Sequence, residues 1–290
     1  MLSLKNDSAW MCPLSALLVA LALLTAPSHA EPTSCKESDK ACIRKVVIGH
    51  PVRQVSFWTD ELAKPFTKRI GAAPTALVDY ISLNNILDQF QERPRAAQLD
   101  GAFAADLQAA MDEIPAEVWR LAMPRLVGIY FVEQLGGTGY SDYVLDKSGT
   151  PSHAYVVLDY AVLRSLQANA WATWKENTPF KTWTPGAQTL SATIATPADN
   201  NRKSAIQYIL LHELAHVISV GRNVHPNWDA PPPVQSRIGR YPFFDLSWSV
   251  DASNKAYLSH FDAQWPQRKD VITTARQSWI KATWCPPTKT

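Results

Sequence analysis

The run Ile209-Leu210-Leu211-His212-Glu213-Leu214-Ala215-His216-Val217-Ile218 constrains this chain more than any other stretch. Its bulky apolar residues predict a buried helix. A helix turns 3.6 residues per turn, so His212 and His216, four apart, stack on one of its faces. A buried helix that carries two imidazoles and a carboxylate must find partners for them. One zinc ion, bound from one side, would serve both histidines. Glu213 is one step round from His212, so its carboxylate can reach a water on such an ion without binding the ion itself. The three residues divide the labour of metal-assisted hydrolysis: His212 and His216 as ligands, Glu213 as base. The plain alternative is two satisfied core histidines and a surface glutamate, and the apolar flanks weigh against it.

The start of the chain predicts export. Lys5 lies in a short polar lead, Leu14 to Leu24 is almost unbroken apolar sequence, and Pro27 ends it. Ser28-His29-Ala30 supplies small residues where a signal peptidase cuts, and the run is short for a membrane span. The expected division is a signal over residues 1–30 and a domain over 31–290. Within that domain, 31–221 would hold the sheet and the zinc helix, and 222–290 the C-terminal part. The expected destination is the periplasm or the medium, with no stable membrane anchor after cleavage. Cysteine usage agrees with an oxidising compartment. Cys12 leaves with the signal. Cys35 and Cys42 could close the loop between them, or Cys42 could pair with Cys285. Lysine plus arginine number 28 and aspartate plus glutamate 26, a net charge of +2. That balance, with no basic run among aromatics, argues against nucleic acid as a partner.

Apolar periodicity predicts the remaining elements. Ile43 to Phe57 alternates loosely, as in one or two short strands. Helices are expected over Pro74 to Phe90, Ala102 to Met111, Pro115 to Leu121 and Ala161 to Trp174. Strands are expected at Leu126 to Val132, Tyr140 to Leu145, Ala154 to Leu158 and Leu190 to Ile194. Gly136 to Gly139 is not followed by a lysine and a helix, so it predicts a hairpin turn rather than a phosphate cradle. Thr196 or Asn200 would start the zinc helix and Gly221 would stop it. Beyond it, Tyr241 to Trp248 is an apolar patch that could pack behind that helix, and a modest helix is expected around Val271 to Trp279.

Ile209 to His216 resembles the extended zinc signature of the zincin metallopeptidases. It has an aliphatic residue three before the first histidine, a leucine after the glutamate and an uncharged residue before the second histidine. The resemblance covers one helix. It implies an α+β fold in which a mixed sheet packs on helices, with the zinc helix beneath it. It also implies one zinc ion and a peptide or protein substrate paired to the strand at the lip of the sheet. The strands near 126–132, 154–158 and 190–194 would build that sheet.

A catalytic zinc ordinarily has a third protein ligand. Gluzincins use a later glutamate, and this sequence has none after Glu213. The metzincin spacing fails as well, because Gly221 and His225 follow His216 by five and nine. His225, Asp229, Asp245, His260 and Asp262 stay open. His225 is favoured because it follows the helix closely and neutral imidazole suits zinc. Tyr241, His225 and His260 are open as oxyanion helpers. Gly137 to Tyr140 and Pro242 to Trp248 look like pieces of exported bacterial metallopeptidases in which a later Asp-Phe-Ala-Glu stretch supplies the ligand. On that resemblance the chain would be a truncated member whose third zinc position is filled weakly or not at all. The rival expectation is an exported zinc-binding or interaction protein that keeps the fold without catalysis.

Overall fold

A computed structural model describes residues 35–178, 191–225, 241–251 and 256–259 of the chain. In chain order the elements are α1 (Lys40–Ile48), α2 (Thr59–Leu62), β1 (Ile70–Ala72), α3 (Thr75–Leu87), β2 (Arg95–Ala96), α4 (Gly101–Asp112), α5 (Ala116–Ala122), β3 (Leu126–Glu133), β4 (Gly139–Leu145) and β5 (Pro151–Asp159). After them come α6 (Tyr160–Ser165), α7 (Ala168–Asn177), α8 (Arg202–Ser219), α9 (Pro242–Asp245), β6 (Trp248–Asp251) and β7 (Ala256–Ser259). The last two strands form a separate antiparallel pair.

The main sheet is mixed, in the order β1-β3-β5-β4, and β2 pairs with β3 beside β1. β1, β3 and β5 run parallel, and β4 is antiparallel to β5 from Gly139 opposite Leu158 to Leu145 opposite Pro151. β3 and β5 are buried almost throughout, as central strands covered on both faces must be. On one face Ile129, Phe131, Val156 and Leu158 pack against α4, α5, α6, α7 and α8. On the other, Tyr130, Val132, Tyr155 and Val157 pack against α1, α3 and the 3-10 turns at Pro51–Arg53 and Val55–Trp58. The result is a mixed α+β architecture with helices on both faces of the sheet.

Several expectations meet a different structure. Ile43 to Phe57 is helical rather than extended. Ile43 and Val47 are buried one turn apart on α1, and the Asp39 side chain caps the helix by accepting from Cys42 N–H at 2.9 Å. The β-branched residues there suit a strand by propensity, but the cap and the i, i+4 burial decide otherwise. Gly136 to Gly139 is not a hairpin turn. It carries the chain from β3 past β5 to β4, and the hairpin is the turn between β4 and β5. Ala161 to Trp174 is two helices, because Leu166 and Gln167 are extended.

Leu190 lies outside the described residues, and 191–194 is not a strand. The α7 side chains take its hydrogen bonds instead: Asn169 Oδ1 accepts from Ile194 and Ala195 N–H, and Thr173 Oγ1 from Ala192 N–H. α8 is capped by Asn201, which accepts from Ser204 N–H at 2.9 Å, so the start near Asn200 holds and the one at Thr196 does not. In the Tyr241 to Trp248 run Phe244 is buried, yet Phe243 and Leu246 are exposed, so the run does not bury one continuous patch. Cys35 and Cys42 form a disulfide. The export segment at 1–30, Asp229, His260, Asp262, Cys285 and the helix expected around Val271 to Trp279 lie outside the described residues.

Candidate metal centre

α8 turns its apolar stripe, Ile206, Ile209, Leu210, Leu214 and Val217, into the core beneath β4 and β5. Glu213 falls on this stripe and is only 4% exposed. A carboxylate at a core position needs a partner, and Ser141 Oγ donates to Glu213 Oε2 at 2.6 Å. Period-two alternation along β4 puts Gly139, Ser141 and Tyr143 on the face toward α8. Gly139 is required by this packing. A Cβ there would run into the Glu213 carboxylate, meeting its Cδ at 3.0 Å.

His212 and His216 lie on the neighbouring, half-buried face of the helix. Their Nε2 atoms are 3.2 Å apart and the rings meet edge to face, 5.0 Å between centroids. Zn–N bonds of 2.0–2.1 Å in a tetrahedral site put two ligand nitrogens about 3.3 Å apart. The pair therefore fits one zinc ion held through both Nε2 atoms. Ser219, one turn from His216, donates its Oγ–H to His216 O at 2.7 Å and lies 3.1 Å from His225 Nε2. A hydroxyl has one proton, and with this one on the carbonyl the Ser219 oxygen is left to accept from His225 Nε2. His225 is thus joined through Ser219 to the backbone carbonyl of His216, and its charge acts on the His216 ring. Among the described residues, no three His, Cys, Asp or Glu are grouped closely enough to hold a metal, and Asp245, at the end of α9, joins no such group.

Burial sets the charges. It pushes Glu213 up to about 7, against the opposing pulls of the Ser141 hydrogen bond and the Lys175 ammonium. It pushes His216 down to about 4, helped by His212 and His225, and lowers His212, with Lys175 adding to the effect. Near neutral pH both imidazoles are uncharged, the state a metal requires.

The sequence placed His212, Glu213 and His216 together, and the structure does the same. It brings His225 near, adds Ser141 and Lys175, which the sequence did not single out, and sets Gly139, read from the sequence as part of a turn and of the Gly137 to Tyr140 piece, against Glu213. The alternation of β4 could have found Ser141 and Gly139 once β4 was known to lie over α8. Upstream of His212 on α8, Leu211, Tyr208 and Ser204 line a groove of about 350 Å³ with Ile194 and Ala195. Comparison with protein-family models, with curated proteins and with solved structures returns no match to this chain.

Proposed function

We propose that this chain is an exported zinc metallopeptidase of the zincin type. The observation that carries the reading is the pair of Nε2 atoms 3.2 Å apart beside a buried carboxylate on the same helix. His212 and His216 would hold the metal, and zinc, when bound, polarises both a water and the scissile carbonyl. Glu213 takes the proton of the attacking water and hands it to the leaving amine, while Ser141 fixes its Oε2. Burial favours this task, since a base tuned near 7 can both accept and return a proton at neutral pH.

The zincin-like part of the proposal draws support from topology. β4 is antiparallel to its neighbour, runs at the edge of the sheet and lies over α8. Apart from a bridge between Gln54 and Leu145, its outer side has no strand partner among the described residues. An extended peptide could pair there through its main chain, which tolerates varied sequences. Export draws support from the apolar run near the start of the chain and from the Cys35–Cys42 disulfide, which suits an oxidising compartment.

One observation favours a second reading, a zinc-binding protein without catalysis: only two nitrogen ligands converge among the described residues. Zinc quantification paired with cleavage of a peptide library, with and without chelator, separates the two. Stoichiometric zinc with chelator-sensitive cleavage supports the peptidase. Zinc without cleavage supports the binding protein, and a chain that holds no zinc refutes both.

A further inference from the structure

α7 and α8 begin side by side. Ala168 N–H donates to Asn201 O at 3.1 Å and Asn169 N–H to Asn200 Oδ1 at 2.9 Å. From these shared starts the helices run in the same direction. Further along, the Trp171 ring lies 5.4 Å from the Tyr208 ring. Trp171 is itself pinned, since its Nε1–H donates to Thr138 Oγ1 at 3.0 Å. One more turn on each helix brings Lys175 opposite His212 and Glu213. Lys175 is half-buried, and its ammonium is within electrostatic reach of both the Glu213 carboxylate and the His212 ring.

An ammonium has three donors and no lone pair, so it cannot be a zinc ligand in that state. The register of α7 on α8 sets Lys175 beside Glu213 and His212, the base and a ligand of the proposed centre, and its charge acts on both. His225, one of the groups the sequence offered for the oxyanion, is tied to Ser219 at the other end of the histidine pair.

We propose that Lys175 is the oxyanion-stabilising group of this site, donating a hydrogen bond to the scissile carbonyl oxygen as charge develops on it. The proposal rests on the metallopeptidase reading above. In the step it assists, the water oxygen bonds to the carbonyl carbon and the carbonyl π pair moves onto oxygen, beside the ammonium. When the C–N bond breaks, that pair returns, and the amine nitrogen receives its proton from Glu213. Lys175 keeps all three protons throughout and nothing is oxidised or reduced. A preorganised donor of this kind is worth about 100- to 1,000-fold in rate.

The test compares the zinc-loaded full chain with Lys175→Met and Lys175→Arg, on peptides with free and amidated C-termini. Lys175→Met is expected to lower kcat by about 100-fold or more, with KM and zinc stoichiometry unchanged, and Lys175→Arg to restore part of the loss. A readout without turnover is calorimetric binding of a phosphinic peptide, whose anionic tetrahedral group stands in for the oxyanion. Its affinity should fall at least about tenfold in Lys175→Met, as a lost charged hydrogen bond implies. Unchanged kcat and unchanged phosphinic affinity overturn the role of Lys175 while leaving the peptidase intact. A loss confined to KM, and to peptides with a free C-terminal carboxylate, overturns it in favour of substrate-carboxylate binding. A parent protein that neither cleaves peptides nor binds the phosphinic peptide sinks the metallopeptidase reading, and this role with it.

Discussion

Replacing Glu213 by glutamine should make the metal-free protein more stable, and by an amount that depends on pH. The carboxyl titrates near 4.5 in an unfolded chain and is pushed up to about 7 in the fold, chiefly by burial. The folded state therefore holds the proton more tightly than the unfolded one. Its stabilising contribution is complete below pH 4.5 and is lost as pH rises, until it is gone above 7. The difference between the two values corresponds to about 3 kcal/mol, of which about 2.5 kcal/mol is lost between pH 5 and pH 8. Glutamine matches the protonated carboxyl in size, can keep the bond to Ser141 and does not titrate. Groups common to both proteins, such as His216 and Asp159, cancel in the comparison. Urea unfolding followed by tryptophan fluorescence, in chelator, gives the stability difference at each pH. The gain in Glu213→Gln over the parent should grow by about 2.5 kcal/mol from pH 5 to pH 8. A difference flat to within about 0.5 kcal/mol would mean that Glu213 is not a buried carboxylate, and the proposed base would lose its tuning. The same substitution should abolish cleavage by the zinc-loaded protein, so the residue trades stability for activity.

Other perturbations probe the remaining contacts. Acid release of zinc should begin well below the usual histidine value of about 6.5, because His212 and His216 are both lowered; release already complete at pH 6 in a zinc-competition titration contradicts the burial of the pair. His216→Ala should abolish stoichiometric zinc, whereas His225→Ala should cost about tenfold, since the Nε2 atoms of His212 and His216 meet each other while His225 Nε2 is bonded to Ser219; equal losses would make His225 the third ligand. Gly139→Ala should cost about 1–3 kcal/mol by urea unfolding, because its Cβ displaces the Glu213 carboxylate; a neutral result contradicts the packing of β4 on α8.

The parts legible in the sequence are those whose physics is local. Leu77, Tyr80 and Ile81 recur at helical spacing on α3, and the i, i+4 histidines declared one face of α8 without any knowledge of what lay above it. β3 and β5 were recognisable because central strands are apolar on both faces. The failures come where distant partners decide. Val46, Val47 and Val52 look extended until Asp39 and the turn at Pro51 are seen to close that segment into helical turns. Residues 191–194 look like a strand, but Asn169 and Thr173 of α7 hold their N–H groups. Lys175 was one charge among many on a surface-like helix. Only the register of α7 on α8 places it at the site.

β4 ties these distant contacts into one device. Its face toward α8 holds the carboxylate through Ser141 and leaves room for it at Gly139. On its other face, Tyr80 and Tyr140 both donate to Asp142 Oδ2, at 2.7 and 3.0 Å, which anchors the strand to α3 and the second core. Thr138, just before the strand, accepts from Trp171 of α7 and offers its carbonyl to Asp159 N–H of β5. An edge strand is ordinarily the least constrained part of a sheet. This one is fixed from both faces and at its entry. Such fixing is what a strand must have if it is to hold a buried carboxylate within hydrogen-bond tolerance while its outer side, without a strand partner among the described residues beyond the Gln54–Leu145 bridge, takes a peptide as proposed. The same Trp171 also sets the register that carries Lys175 toward His212, so the carboxylate and the cation are positioned from one shared anchor.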